Sequence, residues 1–417
     1  MMNRNYKLTL IATAIATFAC ASFADDSVTI DQKGNTNYAK YDSAVGNTAT
    51  YKQEGNSNET ELSVTGTENS LTVDILGDRN KVGEREGSTR TDYITGDSNT
   101  VIYDISGDDN QISTIVKGNA NELMSDTVGD FNTSAFKAKG NNNKFTALDT
   151  GNSNRTNFNV TGHQNNINSD SSGSNNVVNV DVNPTIGWFY YKSSELNDID
   201  ILTTGDDNIT NISAIGSNNT SFANTRGDLS VIDITQWGDN NEARAYVQGT
   251  GSSVSIFQWG DDNYVMDEAN GYSSTSFTKT VQLGDKNHAE SRVSSNGSSS
   301  IAWQSGYENE LRLYLMGDES SALITQLGEN NSVNGMGQHS SDARYFESNG
   351  GSNDLIVSQL GNDNTFMGDQ SGDGNLITVT QHQIGNTATV QQSGINNSAT
   401  ITQNGYANEA YVTQGNF

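Results

Sequence analysis

Six glutamines near the carboxyl end stand eleven residues apart: Gln359, Gln370, Gln381, Gln392, Gln403 and Gln414. Six residues before each is an asparagine: Asn353, Asn364, Asn375, Asn386, Asn397 and Asn408. A primary amide both donates and accepts, so identical amides stacked at strand spacing satisfy one another. A lone buried amide is costly, whereas a ladder of them is stable and pins strand register. The second chemistry is carboxylate. An aspartate follows a glycine at Asp78, Asp97, Asp108, Asp130, Asp206, Asp228, Asp239, Asp261, Asp285, Asp318 and Asp373. Asp108 and Asp130 are twenty-two residues apart, as are Asp206 and Asp228, and Asp239 and Asp261, so such pairs would share one edge of a stack. Weak Ca²⁺ binding at these acidic turns is the one cofactor candidate, set against solvated turns that ions merely screen. A third feature is aromatic. Trp237 and Trp259 occupy the same place in two Gln-Trp-Gly units, and Leu283, Leu327 and Leu360 sit there elsewhere. They would form an outward stripe, either a sticky face for lateral contacts, glycans or abiotic surfaces, or a shallow ladder that only stabilises the stack.

Enzymatic constellations do not emerge. His163, His288, His339 and His382 are scattered without ligand spacing and read as solvated or turn histidines. No Ser/His/Asp set recurs in a telling context, and no Walker lysine follows the glycine-rich turns. A β-helix enzyme acting on polysaccharide would need a cluster of acids or bases breaking the pattern on one face. The expectation is that the chain is not an enzyme.

The elements that position the amides are strands. Asn397-Ser-Ala399-Thr-Ile401-Thr-Gln403 alternates with a period of two, and a glycine follows at Gly405. Gly107 to Gly173 recur every eleven residues, each with an asparagine three residues on. Gln236 and Gln258, and Gln282, Gln304 and Gln326, recur every twenty-two, so two eleven-residue arms are distinguishable. A recurring strand cannot bury its face alone and needs the next copy stacked on it. The predicted fold is all-β: a β-solenoid of strand-turn-strand rungs of about 22 residues, amyloid-like and cross-β, stacked about 4.8 Å apart. Two stretches depart from the frame, near 183–204 with the sole proline Pro184, and near 335–351.

Only 33% of the chain is hydrophobic, so the core must be thin and partly polar. Residues 1–24 read as a secretory signal, with Arg4 and Lys7 before the apolar stretch Leu8 to Phe18 and Ser22-Phe-Ala24 at the cleavage site. The repeat region is then 25–417. The alternative is a lipoprotein acylated at Cys20, although Thr17-Phe18-Ala19-Cys20 fits a lipobox poorly. The formal charge is −28, and loss of two positive charges, Arg4 and Lys7, leaves −30. That surface argues against nucleic acid and anionic membrane as partners. No later stretch is long and apolar enough for membrane insertion as a helix.

The unit Gln392-Ser-Gly394-Ile-Asn-Asn397-Ser-Ala399-Thr-Ile-Thr-Gln403 resembles the curlin repeat of curli fibre subunits, which reads Gln-x-Gly-x-x-Asn-x-Ala-x3-Gln. Gln403 to Gln414 repeats the match, and Gln32-Lys-Gly34-Asn-Thr-Asn37-Tyr-Ala39 and Gln53-Glu-Gly55-Asn-Ser-Asn58 match its core. Across 66–220 glycine and asparagine persist without the glutamine. The resemblance implies a secreted functional amyloid on the bacterial cell surface, assembling with itself into fibres for adhesion and biofilm. It also implies an outer-membrane curli-type secretion and nucleation machinery as partner. The alternative function is a monomeric surface adhesin that binds glycans or other surfaces.

Overall fold

The computed structural model describes residues 26–415 apart from 44–45, 84–91, 184–193, 271–274, 295, 316 and 336–344. The leader reading and the core of both expected departures lie outside the described residues. Among those described, every regular element is a strand, and the strand pairs given are parallel.

The chain forms two compact units, 1–164 with 170–175, and 165–169 with 176–417. Each is a β-solenoid in which alternate strands stack. In the first unit Ser27–Lys33, Thr48–Glu54, Ser70–Leu76, Thr100–Ser106, Glu122–Val128 and Lys144–Thr150 pair in that order. The intervening arms form a second stack through Glu59–Thr65, Gln111–Lys117, Thr133–Lys139 and Arg155–His163. In the second unit one stack runs from Val177–Val182 through Val231–Trp237 and Ser299–Tyr307 to Ser398–Tyr406.

Burial alternates along most arms because successive side chains point to opposite faces, with runs of consecutive buried residues in a few, such as Thr365–Ser371. In Ser70–Leu76 the buried residues are Leu71, Val73 and Ile75. Tyr51, Val73 and Tyr103 stack in one inward column of the first unit. Phe346, Phe366, Val357, Val379 and Ile401 fill the second. Each such side chain gains about 1.5–3 kcal/mol from burial, so a core only two side chains thick still holds the rungs together.

Register withstands insertions. Paired residues are 22 apart in most of the stack, as with Thr48 and Ser70. The interval grows to 30 between Ser70 and Thr100, and to 33 between Ser321 and Asp354. The first of these excesses, around 84–91, is a departure that the sequence reading did not single out. Its frame of glycines and asparagines resumes on the far side and conceals it.

Candidate functional site

Each turn is a set of bonds between rungs. Gly107 has φ +137, and a Cβ on it would lie 2.1 Å from the carbonyl oxygen of Gly129 in the next rung. Glycine is required there both for its conformation and for the closeness of the stacked backbone. Two residues later Asp109 takes the left-handed conformation at φ 58. The turn asparagine then closes the unit. Asn110 donates Nδ2 to the Gly129 carbonyl at 2.7 Å, and its backbone N–H donates to Oδ1 of Asn80 at 2.9 Å.

The aspartates after the turn glycines do the reverse. The N–H of Asp78 donates to Oδ1 of Asp108 at 2.8 Å, and the N–H of Asp108 to Oδ1 of Asp130 at 2.8 Å. In the second unit Asp239 donates to Asp261, and Asp261 to Asp285, at 2.7 and 2.8 Å. Where the residue is not acidic the bond persists: Asn119 donates to Asn141, and Asn141 to Nδ1 of His163, at 2.8 and 2.9 Å. Part of each turn carboxylate is thus engaged by a backbone amide of its neighbour. Among the described residues no group of three His, Cys, Asp or Glu converges as a metal site.

The glutamines form two ladders. Gln359 donates Nε2 to Oε1 of Gln381 at 3.0 Å, and Gln381 to Gln403 at 2.9 Å. Gln370 donates to Gln392 at 3.1 Å, and Gln392 to Gln414 at 2.8 Å. The asparagines divide in the same way. Asn375 donates to Asn353 and Asn397 to Asn375, while Asn386 donates to Asn364 and Asn408 to Asn386, at 2.9–3.2 Å. The first glutamine ladder reaches much further back, through Gln236, Gln258, Gln282, Gln304, Gln326 and Gln359, with bonds of 2.8–3.0 Å. Each Nε2 also meets backbone carbonyls, as Gln304 meets His288 and Asn309 at 2.9 and 3.0 Å. These glutamine amides are buried except for the half-exposed Gln414, and all are paired through Nε2, while Gln370 Oε1, at the start of its ladder, is buried without a donor.

Trp237 and Trp259 stack with ring centres 5.2 Å apart and planes 12° from parallel. They face outward, and Trp259 is 54% exposed.

The ladder position holds other groups in the first unit. Asp149 sits there, buried, accepting from Ser134 at 3.0 Å and Thr156 at 2.8 Å. Burial pushes its carboxyl up to about 6, against the pull of those two hydroxyls. Asp92 is pushed up to about 7 by burial, although the Thr114 amide donates to it at 2.6 Å. In the second unit Asp267 is buried beside Thr280 and Ser291 with neither oxygen in a well-formed hydrogen bond, and burial raises it to about 7. Sequence reasoning missed all three. The available signal was an acid at an inward position of the alternation.

An open groove of about 640 Å³ in the second unit is lined by Asp198, Asp200, Glu242, Arg244 and Glu268, with Phe222 and Tyr246. Asp267 also lines it, and its other acids are engaged: Asp198 and Asp200 accept from Asn166 and Asn168, Glu242 pairs with Arg244, and Glu268 with Arg292.

Among the described residues Ser398–Tyr406 and Glu409–Gln414 each pair on one side only, with Leu376–Ile384 and Thr387–Ser393. At the other end Ser27–Lys33 pairs only with Thr48–Glu54, among the described residues. These edges present unpaired backbone groups.

No curated protein matches the chain. Residues 385–415, which carry Gln392, Gln403 and Gln414 and the asparagines between them, match the family model of the curlin associated repeat. Over that segment the chain is similar to curlin-repeat proteins, and the matched residues hold the strands Thr387–Ser393, Ser398–Tyr406 and Glu409–Gln414.

Proposed function

We propose that this chain is a secreted structural subunit of an extracellular curli-like amyloid fibre, serving surface adhesion and biofilm matrix, and that copies join end to end through their terminal rungs. The observation that carries this reading is the open last rung, with its directional ladders. Glutamines donate from the lower-numbered rung to the higher, as Gln392 does to Gln414. Gln32 donates to Gln53 in the same direction at 2.7 Å. Gln32 and Gln414 are each the sixth residue of their arm. Adding a second copy's Ser27–Lys33 beyond Glu409–Gln414 would set a Gln414 donor against a Gln32 acceptor and extend the parallel backbone ladder. An arrangement of this kind is heterologous and does not close, so it grows as a filament.

Export through a curli-type outer-membrane machinery follows from the same reading, as does the 1–24 leader. The experiment is electron microscopy of the purified chain after incubation. Unbranched filaments that lengthen with time support the reading. Stable discrete particles at every concentration would reject it in favour of a monomeric surface adhesin.

A further inference from the structure

The two arms of one rung differ in what they show to solvent over 231–360. Six strands lie side by side in register: Val231–Trp237, Ser253–Trp259, Phe277–Asp285, Ser299–Tyr307, Ser321–Glu329 and Asp354–Leu360. Outward columns follow from that register. One runs Asp233, Ser255, Lys279, Ile301, Leu323, Ile356 and is apolar over its last three strands, and its neighbour holds Phe257, the buried Val281 and Trp303 between Thr235 and Thr325. A third holds Trp237, Trp259, Leu283, Leu327 and Leu360, interrupted by Ser305. Trp303 is 43% exposed, Leu323 46% and Ile301 39%. The facing arms are charged instead. Arg244 pairs with Glu242, Arg292 with Glu268, and Arg312 with Glu290 and Glu310.

We propose that this apolar sheet face is a self-association surface on which a second copy of the chain docks face to face. Three observations select that occupant. The face is regular, its six strands paired in register, so its own copy presents the same spacing and sheets pack about 10 Å apart in this way. Six strands at about 4.8 Å spacing and about 23 Å length present roughly 650 Å² per copy, close to the ~800 Å² of a standard protein interface. Charge makes the third argument. Copies that each carry −28 repel wherever acids face acids, whereas the outward charges of this face are Asp233, Lys279 and Asp354, with Asp285 and Glu329 at the ends of its longer strands, so they lie at its margins or, for Lys279, on a long flexible stem. The contact is isologous and closes on itself, so it pairs two chains, or two filaments, and does not depend on end-to-end growth.

The test replaces two exposed, non-core side chains together, Trp303→Glu and Leu323→Glu, in the full chain. The control makes the same charge change on the first unit's outer surface, Ile102→Glu with Val128→Glu. Sedimentation equilibrium of the freshly refolded, unassembled chain reads pairing directly, and filament width by electron microscopy reads it after growth. The expected result is a wild-type dimer, a Kd raised at least 100-fold in the face variant, and an unchanged control. Where filaments grow, the face variant should form them singly and the wild type in pairs, so loss of pairing is distinct from loss of growth. Should the glutamate pair not fold, Ile301→Ser with Leu323→Thr removes apolar surface at less strain and should weaken pairing in the same sense. A monomeric wild type, a face variant that still pairs, or equal loss in the control would overturn the proposal. So would a monomeric wild type that binds neutral phosphatidylcholine vesicles, which would give the face to a lipid surface.

Discussion

Gln326 donates Nε2 to Oε1 of Gln359 at 2.9 Å, although 33 residues separate them instead of 22. The bond is as short as that between Gln304 and Gln326, at 2.8 Å and the ordinary interval. Eleven extra residues, one arm's worth, leave the ladder intact, so the glutamines hold register where chain length does not. Flanking the pair, Ala322, Ile324, Leu355 and Val357 are small or smooth apolar groups that would pack almost as well two residues out of step.

Replacing Gln304 and Gln326 with leucine should therefore destabilise the chain even though apolar burial rises. Gln359 Oε1 loses its donor and Gln282 Nε2 its glutamine acceptor, while the carbonyls of His288, Asn309 and Glu310 each lose one donor, although Asn309 keeps the His288 amide. Each unsatisfied buried acceptor costs about 1–3 kcal/mol. Glutamate at both sites should be worse, because two like charges would stack in a poorly solvated interior. Chemical denaturation followed by far-UV circular dichroism measures this. A leucine pair that raises the midpoint would show that the amides do not specify the stack.

Gly107→Ala should be far more damaging than Gly297→Ala. At Gly107 the new Cβ would press on the Gly129 carbonyl, while at Gly297 the nearest atom is a Glu319 side-chain carbon at 3.6 Å. Both carry positive φ, but +137 at Gly107 is a conformation that glycine alone adopts readily whereas +68 at Gly297 is the left-handed helical one, so the difference combines backbone strain with the closeness of the next rung. About 1 kcal/mol is expected at Gly297 and ~3 kcal/mol or more at Gly107. Equal losses of thermal stability would contradict the tight rung-on-rung approach.

Asp267→Asn should flatten the dependence of stability on pH. The buried carboxyl is raised to about 7, well above its unfolded value. Its stability contribution is fully present below about pH 3.9 and is lost as pH rises through about 7. Asparagine has no charge to bury, so the variant should gain on wild type progressively between about pH 4 and 7, by at most about 1.4 kcal/mol per pH unit. Asp92 and Asp149 keep part of the slope, being raised for the same reason. Parallel pH profiles for the two proteins would place Asp267 in contact with water.

The turn carboxylates should tolerate loss of charge better than loss of an acceptor. Asp261→Asn keeps an Oδ1 for the Asp239 amide, whereas Asp261→Ala leaves that amide to water. The alanine variant should lose about 0.5–1.5 kcal/mol and the asparagine variant much less. Ca²⁺ and Mg²⁺ at equal concentration should raise the melting temperature alike, as screening requires. A shift specific to Ca²⁺ would point to a dedicated site.

Much of the fold is legible in the sequence because its signals are local. The alternation in Asn397 to Gln403 and the glycine before each asparagine are read within one repeat. The partners of the turn aspartates are not. Asp108 accepts from Asp78, thirty residues earlier across an insertion, and nothing near either residue announces it. A glycine-aspartate turn therefore looks like a free carboxylate. Gln236 likewise joins the same ladder as Gln403 only through six intermediate rungs, some separated by irregular intervals. Asp267 was hidden for another reason: in the weakly patterned stretch after Tyr264, an inward acid resembles a loop residue.

X-ray diffraction from aligned filaments of the full chain tests the central claim most directly. End-to-end stacking of rungs predicts a sharp meridional reflection near 4.7–4.8 Å that strengthens as filaments lengthen. Filaments without that meridional spacing, or a chain that never passes beyond discrete particles, would contradict the account.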